Sequence, residues 1–200
     1  VGVHFGSRGF GHKTACGFLA LASGKAWGER VDDSMDAPPT TIPLTSSLAQ
    51  DYLAAMELAG RYAYAGRDWV VGRVLKILGA RNEGTVHNHH NFAWWEEHGG
   101  ERWLVVRKGA TPAFPGQRGF VGGSMGDDAV IVEGRDSETS KTAFYSTVHG
   151  AGRVMGRMEA KGKWKKGECV RPGKIDWPAA LVDLKAKNIE LRGGGADEAP

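Results

Sequence analysis

The clearest pattern in the chain is a helical one. Leu48, Tyr52, Ala55, Ala59, Tyr62, Val70, Val74 and Ile77 recur at steps of three, four or their sum, which predicts one long helix near 47–78. Ser47 and Gln50 read as an S-x-x-Q capping box at its start, and Gly79 as its stop. Gly60, Gly66 and Gly72 interrupt it, each about 1 kcal/mol less favourable than alanine and therefore signs of close packing or of a break. Ahead of this helix, Val1, Val3 and Phe5 alternate with Gly2 and His4. That period of two predicts a strand with His4 on the polar face. A helix from Lys13 to Trp27 follows, and then a surface loop from Glu29 to Ser46 containing Pro38, Pro39 and Pro43.

After Arg102 the pattern turns to short apolar runs divided by glycines: Trp103 to Val106, Gly119 to Val121, Ala129 to Val132 and Ala143 to Val148. These predict a meandering sheet. Val154 to Ala160 reads as a short helix and Ala179 to Glu190 as the last one, with Leu191 and Arg192 opening a strand. The elements together predict an α+β fold, with glycine-rich mixed or antiparallel sheet layers flanked by helices.

Composition adds bounds. The chain has 200 residues, 41% hydrophobic and 24% charged, enough for one domain with a sizeable core. Its 30 glycines are about twice the usual share and follow no repeat, which implies many tight turns. A net charge of +3 permits an anionic partner such as RNA. Two cysteines make no disulfide framework and suit a reducing, cytoplasmic setting. The sequence shows no membrane span and no signal peptide. Val1 already lies within strand-like sequence and Pro200 follows an acidic pair, so a fragment of a longer protein is expected.

Several stretches could carry chemistry. G-S-R-G-F-G-H-K-T, from Gly6 to Thr14, approaches a P-loop, but His12 separates Gly11 from Lys13 and spoils the spacing. T-V-H-N-H-H-N-F-A-W-W-E-E-H gathers His87, His89, His90 and His98, and imidazole is a common ligand of transition metals. The alternative is an exposed polar strand. R-K-G-A-T at Arg107 to Thr111 and G-G-S-M-G at Gly122 to Gly126 are turns that suit a phosphate or nucleobase, or plain loops. S-T-V-H-G-A-G-R at Ser146 to Arg153 presents His149 before a glycine turn whose N–H groups could face an anion. K-G-K-W-K-K at Lys161 to Lys166 sets four cations around Trp164, able to hold RNA or simply solvated.

Five of these motifs, taken in order, resemble RtcB-type RNA ligases: H-F-G-S-R-G at His4 to Gly9, H-N-F-A at His90 to Ala93, R-K-G-A at Arg107 to Ala110, G-S-M-G at Gly123 to Gly126, and H-G-A-G-R at His149 to Arg153. The D-E-A-P ending is similar to the family's late acidic segment. The resemblance implies a single catalytic domain over 1–200. It also implies an enzyme that uses GTP and manganese, two ions per site in the intact protein, to join RNA 2′,3′-cyclic phosphate or 3′-phosphate ends to 5′-hydroxyl ends in tRNA splicing or RNA repair.

By the same resemblance His149 is the guanylylated nucleophile, His4 and His90 are metal ligands, and Arg8 and Arg153 engage phosphate. His90, Asn91, Gly123, Ser124, Met125, His149, Gly150, Ala151 and Gly152 form the nucleotide site. An archease-like activator would be a partner. The family's D-x-x-C and G-N-H ligand motifs have no match in this sequence, Gly122 stands where the family has Pro, and Ala129 where it has Ser. The family's guanine-contacting lysine would lie beyond Pro200, so weak binding of GMP and metal is expected of this chain alone. Other readings are a metal-dependent phosphoesterase or nuclease built on the histidine cluster, and a non-catalytic RNA-binding derivative.

Overall fold

A computed structural model of the chain describes residues 1–32, 39–166 and 168–199, with the backbone alone of Trp164. Asp33 to Pro38 of the proline-rich loop, and the Trp164 side chain of the basic run, lie outside what is described. The chain divides into two compact units, Val1–Thr85 and Val86–Pro200.

The first unit is helical. Val1 to Gly6 form no strand, contrary to the alternation of the sequence. A lone strand has no partner to satisfy its N–H and C=O groups, and no second strand occurs among the described residues of this unit to supply one. Helix α1 spans Arg8–Ala22, five residues earlier than expected at both ends. Gly9 and Gly11 therefore lie inside a helix, and of the P-loop-like segment only Gly6 and Ser7 are non-helical. The left-handed φ of 56° at Arg8 makes the turn into α1.

Helix α2, Ser47–Leu78, runs unbroken for 32 residues and ends on Gly79 in the left-handed conformation, φ 62°. Its N-cap is Ser46, not Ser47: the Ser46 hydroxyl accepts the Ala49 N–H at 3.2 Å, and Gln50 donates instead to the Leu44 carbonyl at 2.7 Å. The fully buried line runs through Ala49, Ala59, Gly60, Ala63 and Arg67; of the expected stripe Ala59 is buried, Leu48, Tyr52, Ala55, Val70 and Val74 are half-buried, and Tyr62 and Ile77 are exposed. Small residues let α1 pack closely on α2. Phe18 is wedged between Tyr52 and Trp27 at ring distances of 5.3 and 5.4 Å, and Phe10 meets Tyr62 edge-on. Gly66 leaves room for the Phe5 ring, 3.1 Å from where a Cβ would stand. Arg67 donates to the Phe5 carbonyl at 2.7 Å, which ties the N-terminal segment to α2. No packing reason attaches to Gly72.

The second unit is built from β-ribbons. The described strands form four two-stranded antiparallel ladders rather than one meandering sheet. β1 (Asn91–His98) pairs with β2 (Glu101–Lys108) through the Gly99-Gly100 turn, in register from Asn91 opposite Lys108 to His98 opposite Glu101. β3 (Ala110–Pro112) pairs with β6 (Ser146–Val148), enclosing β4 (Arg118–Val121), β5 (Val130–Glu133) and the short helix α3 (Glu138–Thr142). Ala143 to Val148 is thus only half strand, its first half being the end of α3 and a left-handed turn at Phe144 and Tyr145.

Helix α4 is Arg157–Lys161, shorter than expected. The basic run becomes β7 (Gly162–Lys165), which pairs with β8 (Glu168–Pro172), a strand the sequence pattern did not suggest. Helix α5, Trp177–Ala186, is capped by Asp176 and ends before Glu190; Leu191 and Arg192 are not strand. No helix among the described residues is long and apolar enough to cross a membrane.

Candidate nucleotidyl-transfer site

The β3–β6 ladder fixes His149. Val148 is the partner of Ala110, so the next residue outward on one strand, His149, faces the next outward on the other, Gly109. The His149 Nδ1 lies 2.8 Å from the Gly109 carbonyl oxygen. A carbonyl only accepts, so Nδ1 carries the proton, and the lone pair of the neutral ring sits on Nε2. Gly109 has φ 70°, a conformation costly for any residue with a Cβ, and it needs this geometry to turn β2 into β3. Its N–H faces the other way, donating to the His90 carbonyl at 2.7 Å and lying 3.2 Å from the Asn91 Oδ1. One glycine thereby links His90, Asn91 and His149. The two imidazoles stack, with centroids 4.3 Å apart and planes within 10°.

Beneath this turn is a buried ion pair. Arg107, 3% exposed, donates to both Glu96 oxygens at 2.6 and 2.9 Å, to the Ser146 hydroxyl at 2.8 Å and to the Phe144 carbonyl at 2.7 Å. It joins the β1–β2 ribbon to the strand that carries His149. Burial alone would push the Glu96 carboxyl up, but the hydrogen bonds and charges of Arg107 and His98 outweigh it and hold it below the usual carboxylate range.

The G-S-M-G turn adjoins the H-G-A-G turn. The Ala151 N–H donates to the Gly122 carbonyl at 2.8 Å and the Gly122 N–H to the His149 carbonyl at 3.4 Å. Gly123 closes the turn so tightly that a Cβ would overlap the Asp128 carbonyl. The Ser124 hydroxyl donates to Asp127 at 2.5 Å, so the side chain expected to meet a nucleotide is engaged by a carboxylate. Met125 lies beside Gly194, Leu184 of α5 presses on Gly126, and Lys187 donates to the Gly126 carbonyl at 3.1 Å. Arg153 donates to the Asp197 carbonyl, and Lys161 stands 3.4 Å from the Asp197 carboxylate.

The expected residues thus fall into two sets. His4 and Arg8 belong to the first unit, both exposed. His90, Asn91, Gly123, Ser124, Met125, His149, Gly150, Ala151, Gly152 and Arg153 belong to the second, where His90, Asn91, His149 and the Gly122–Gly150 bridge meet. The histidine cluster does not act as one group. His89 stacks on Phe92 at 4.7 Å, and His98 bonds Glu96 at 2.8 Å among Phe114, Phe144 and Tyr145. His90 is the one stacked on His149 as described above. Among the described residues no three His, Cys, Asp or Glu side chains are placed together to hold a metal ion. Gly109 and Arg107 were visible in the sequence as a motif, but nothing local revealed that they hold the histidine.

The family model described as tRNA-splicing ligase RtcB matches residues 1–176. The RNA-splicing ligase RtcB of Escherichia coli K12 is 35% identical over 170 residues, covering 80% of this chain and 41% of that protein. The tRNA-splicing ligases RtcB of Archaeoglobus fulgidus and Nanoarchaeum equitans are 35% and 34% identical, covering 82% and 84% of this chain and 39% and 40% of their own length. The chain spans about two fifths of the relatives it matches. With the family model matched over residues 1–176 and relatives 34–35% identical over at least 80% of it, this chain belongs to the RtcB family.

Proposed function

We propose that the chain is part of an RNA ligase that joins 3′-phosphate or 2′,3′-cyclic phosphate ends to 5′-hydroxyl ends through a guanylate carried on His149, in tRNA splicing or RNA repair. The observation that carries this reading is the His149 Nδ1–H bond to the Gly109 carbonyl, which places the nucleophilic lone pair of the neutral ring on Nε2. Nε2 attacks the α-phosphorus of GTP, an N–P bond forms and pyrophosphate leaves. A 2′,3′-cyclic end is first opened by water, which breaks the bond to O2′ and leaves a 3′-phosphate; an oxygen of the RNA 3′-phosphate then displaces His149 and takes the guanylate. The 5′-hydroxyl attacks that activated phosphate, and GMP leaves as the RNA bond forms.

The N–H groups of Gly150, Ala151 and Gly152, with Gly123, Ser124 and Met125, are the proposed contacts to the guanylate; Arg8 and Arg153 are the proposed phosphate ligands. For Arg153 this means exchanging its bond to Asp197. His4 and His90 are the proposed contributors to manganese binding, and a complete site requires further donors. The metal would supply charge neutralisation at the transferring phosphate. The intact protein would carry one α+β catalytic domain and act in the cytoplasm, with an archease-like protein as activator.

The test is ligation by the intact protein. RNA with a 3′-phosphate and RNA with a 5′-hydroxyl are mixed with GTP and manganese, and joining should require all four and fail with His149→Ala. Phosphoester cleavage without GTP, and no joining, would instead support a hydrolase.

A further inference from the structure

The closed end of the β1–β2 ribbon, outside the site above, holds a concavity of about 660 Å³ lined by Glu97, His98, Glu101, Trp103, Lys141, Phe144 and Tyr145 among others. That volume falls in the range of small-ligand sites. Strand register puts Glu101 opposite His98 and Trp103 opposite Glu96, so these four share one face of the ribbon. Both rings at the wall are open to solvent, Trp103 being 48% exposed and Phe144 40%.

The charges are asymmetric. Glu97 and Glu101 are exposed, and neither makes an ion pair among the described residues. Of the basic groups in the wall, Lys141 is already held by Glu138 at 2.9 Å and by Asp136 at 3.9 Å, and His98 by Glu96 at 2.8 Å. Tyr145 likewise spends its hydroxyl on Asp136 at 2.8 Å. Aromatic faces with unneutralised carboxylates repel phosphate and attract a cation that is flat or weakly hydrated. The feature is unexpected in a chain of net charge +3 whose proposed substrate is RNA.

We propose that this concavity binds an organic cation, a guanidinium or primary ammonium group, held by the Trp103 and Phe144 rings with the Glu101 carboxylate as counter-ion. The cation is either a free diamine-type molecule or an arginine or lysine side chain of a protein partner. Both present the same chemistry to the pocket.

The test is calorimetric titration of the intact protein with agmatine, with the capped tripeptide Gly-Arg-Gly, and with n-butanol as an uncharged probe. Agmatine and the tripeptide should bind and n-butanol should not. Glu101→Gln and Trp103→Ala should each weaken binding about tenfold, while Trp103→Phe retains most of it and shows that the fold is kept. Tighter binding of the tripeptide assigns the site to a protein partner, and tighter binding of agmatine to a free cation. Failure of both cations to bind, or affinity unchanged in Glu101→Gln, overturns the proposal.

Discussion

His90 and His149 lie face to face, their rings 4.3 Å apart, although 58 positions separate them in the chain. What holds them there is neither histidine but Gly109, which gives its carbonyl to one and its N–H to the backbone of the other. Gly109→Ala would force a Cβ into the left-handed region, 3.7 Å from the His149 ring. The strain costs about 1–2 kcal/mol. The expected result is a lower melting temperature together with slower guanylylation, measured as adduct formed per unit time; an adduct rate equal to wild type would show that Gly109 does not position His149.

Arg107 and Glu96 are both almost wholly buried, at 2% and 7% side-chain exposure. Removing one partner leaves the other charge in the interior, so Arg107→Ala should cost about 3–5 kcal/mol. Denaturant unfolding reads this directly. Arg107→Lys should also destabilise, because a single ammonium cannot reproduce the fork to Glu96 together with the bonds to Ser146 and Phe144.

The same pair fixes a pH dependence. The folded Glu96 carboxyl is held below its ordinary range, so its contribution to stability is fully present above about pH 4.3, the unfolded value. It is lost as pH falls through the lower, folded value. Wild type should therefore lose stability more steeply below about pH 4.3 than Glu96→Gln, which is weaker throughout but flatter in acid. Parallel acid profiles for the two proteins would contradict the pairing.

Thr111 is fully buried and its hydroxyl has no partner among the described residues. Replacing it with valine removes an unsatisfied polar group at nearly constant shape. Thr111→Val should leave stability unchanged or raise it by about 1 kcal/mol, seen as an unchanged or higher denaturation midpoint.

The sequence made the long helix legible because 32 residues of one period outweigh three glycines, and Gly79 marks its end sharply. It misplaced the cap by one residue, since Ser46 and Ser47 look alike until the backbone shows which hydroxyl reaches Ala49. Val1 to Gly6 alternate as a strand does, yet alternation cannot supply a pairing partner. The ribbon β1–β2 was half visible: its apolar run is plain, but the pairing of Asn91 with Lys108 depends on the Gly99-Gly100 turn. Of the candidate site, the motif residues could be named from sequence. Their meeting could not, because Gly122 reaches Gly150 and Gly109 reaches His149 through backbone groups, which carry no residue signature. The histidine cluster misled for the converse reason: proximity in sequence put His98 beside His90, while the strand carried it toward Glu96 and Phe144.

The most direct test of the account is the position of the guanylate. The intact protein is incubated with GTP and manganese, digested under alkaline conditions and examined by tandem mass spectrometry. The account predicts a single GMP adduct on the peptide containing His149, attached at the imidazole and absent from His149→Ala. A GMP adduct elsewhere, or one that persists in His149→Ala, would contradict it.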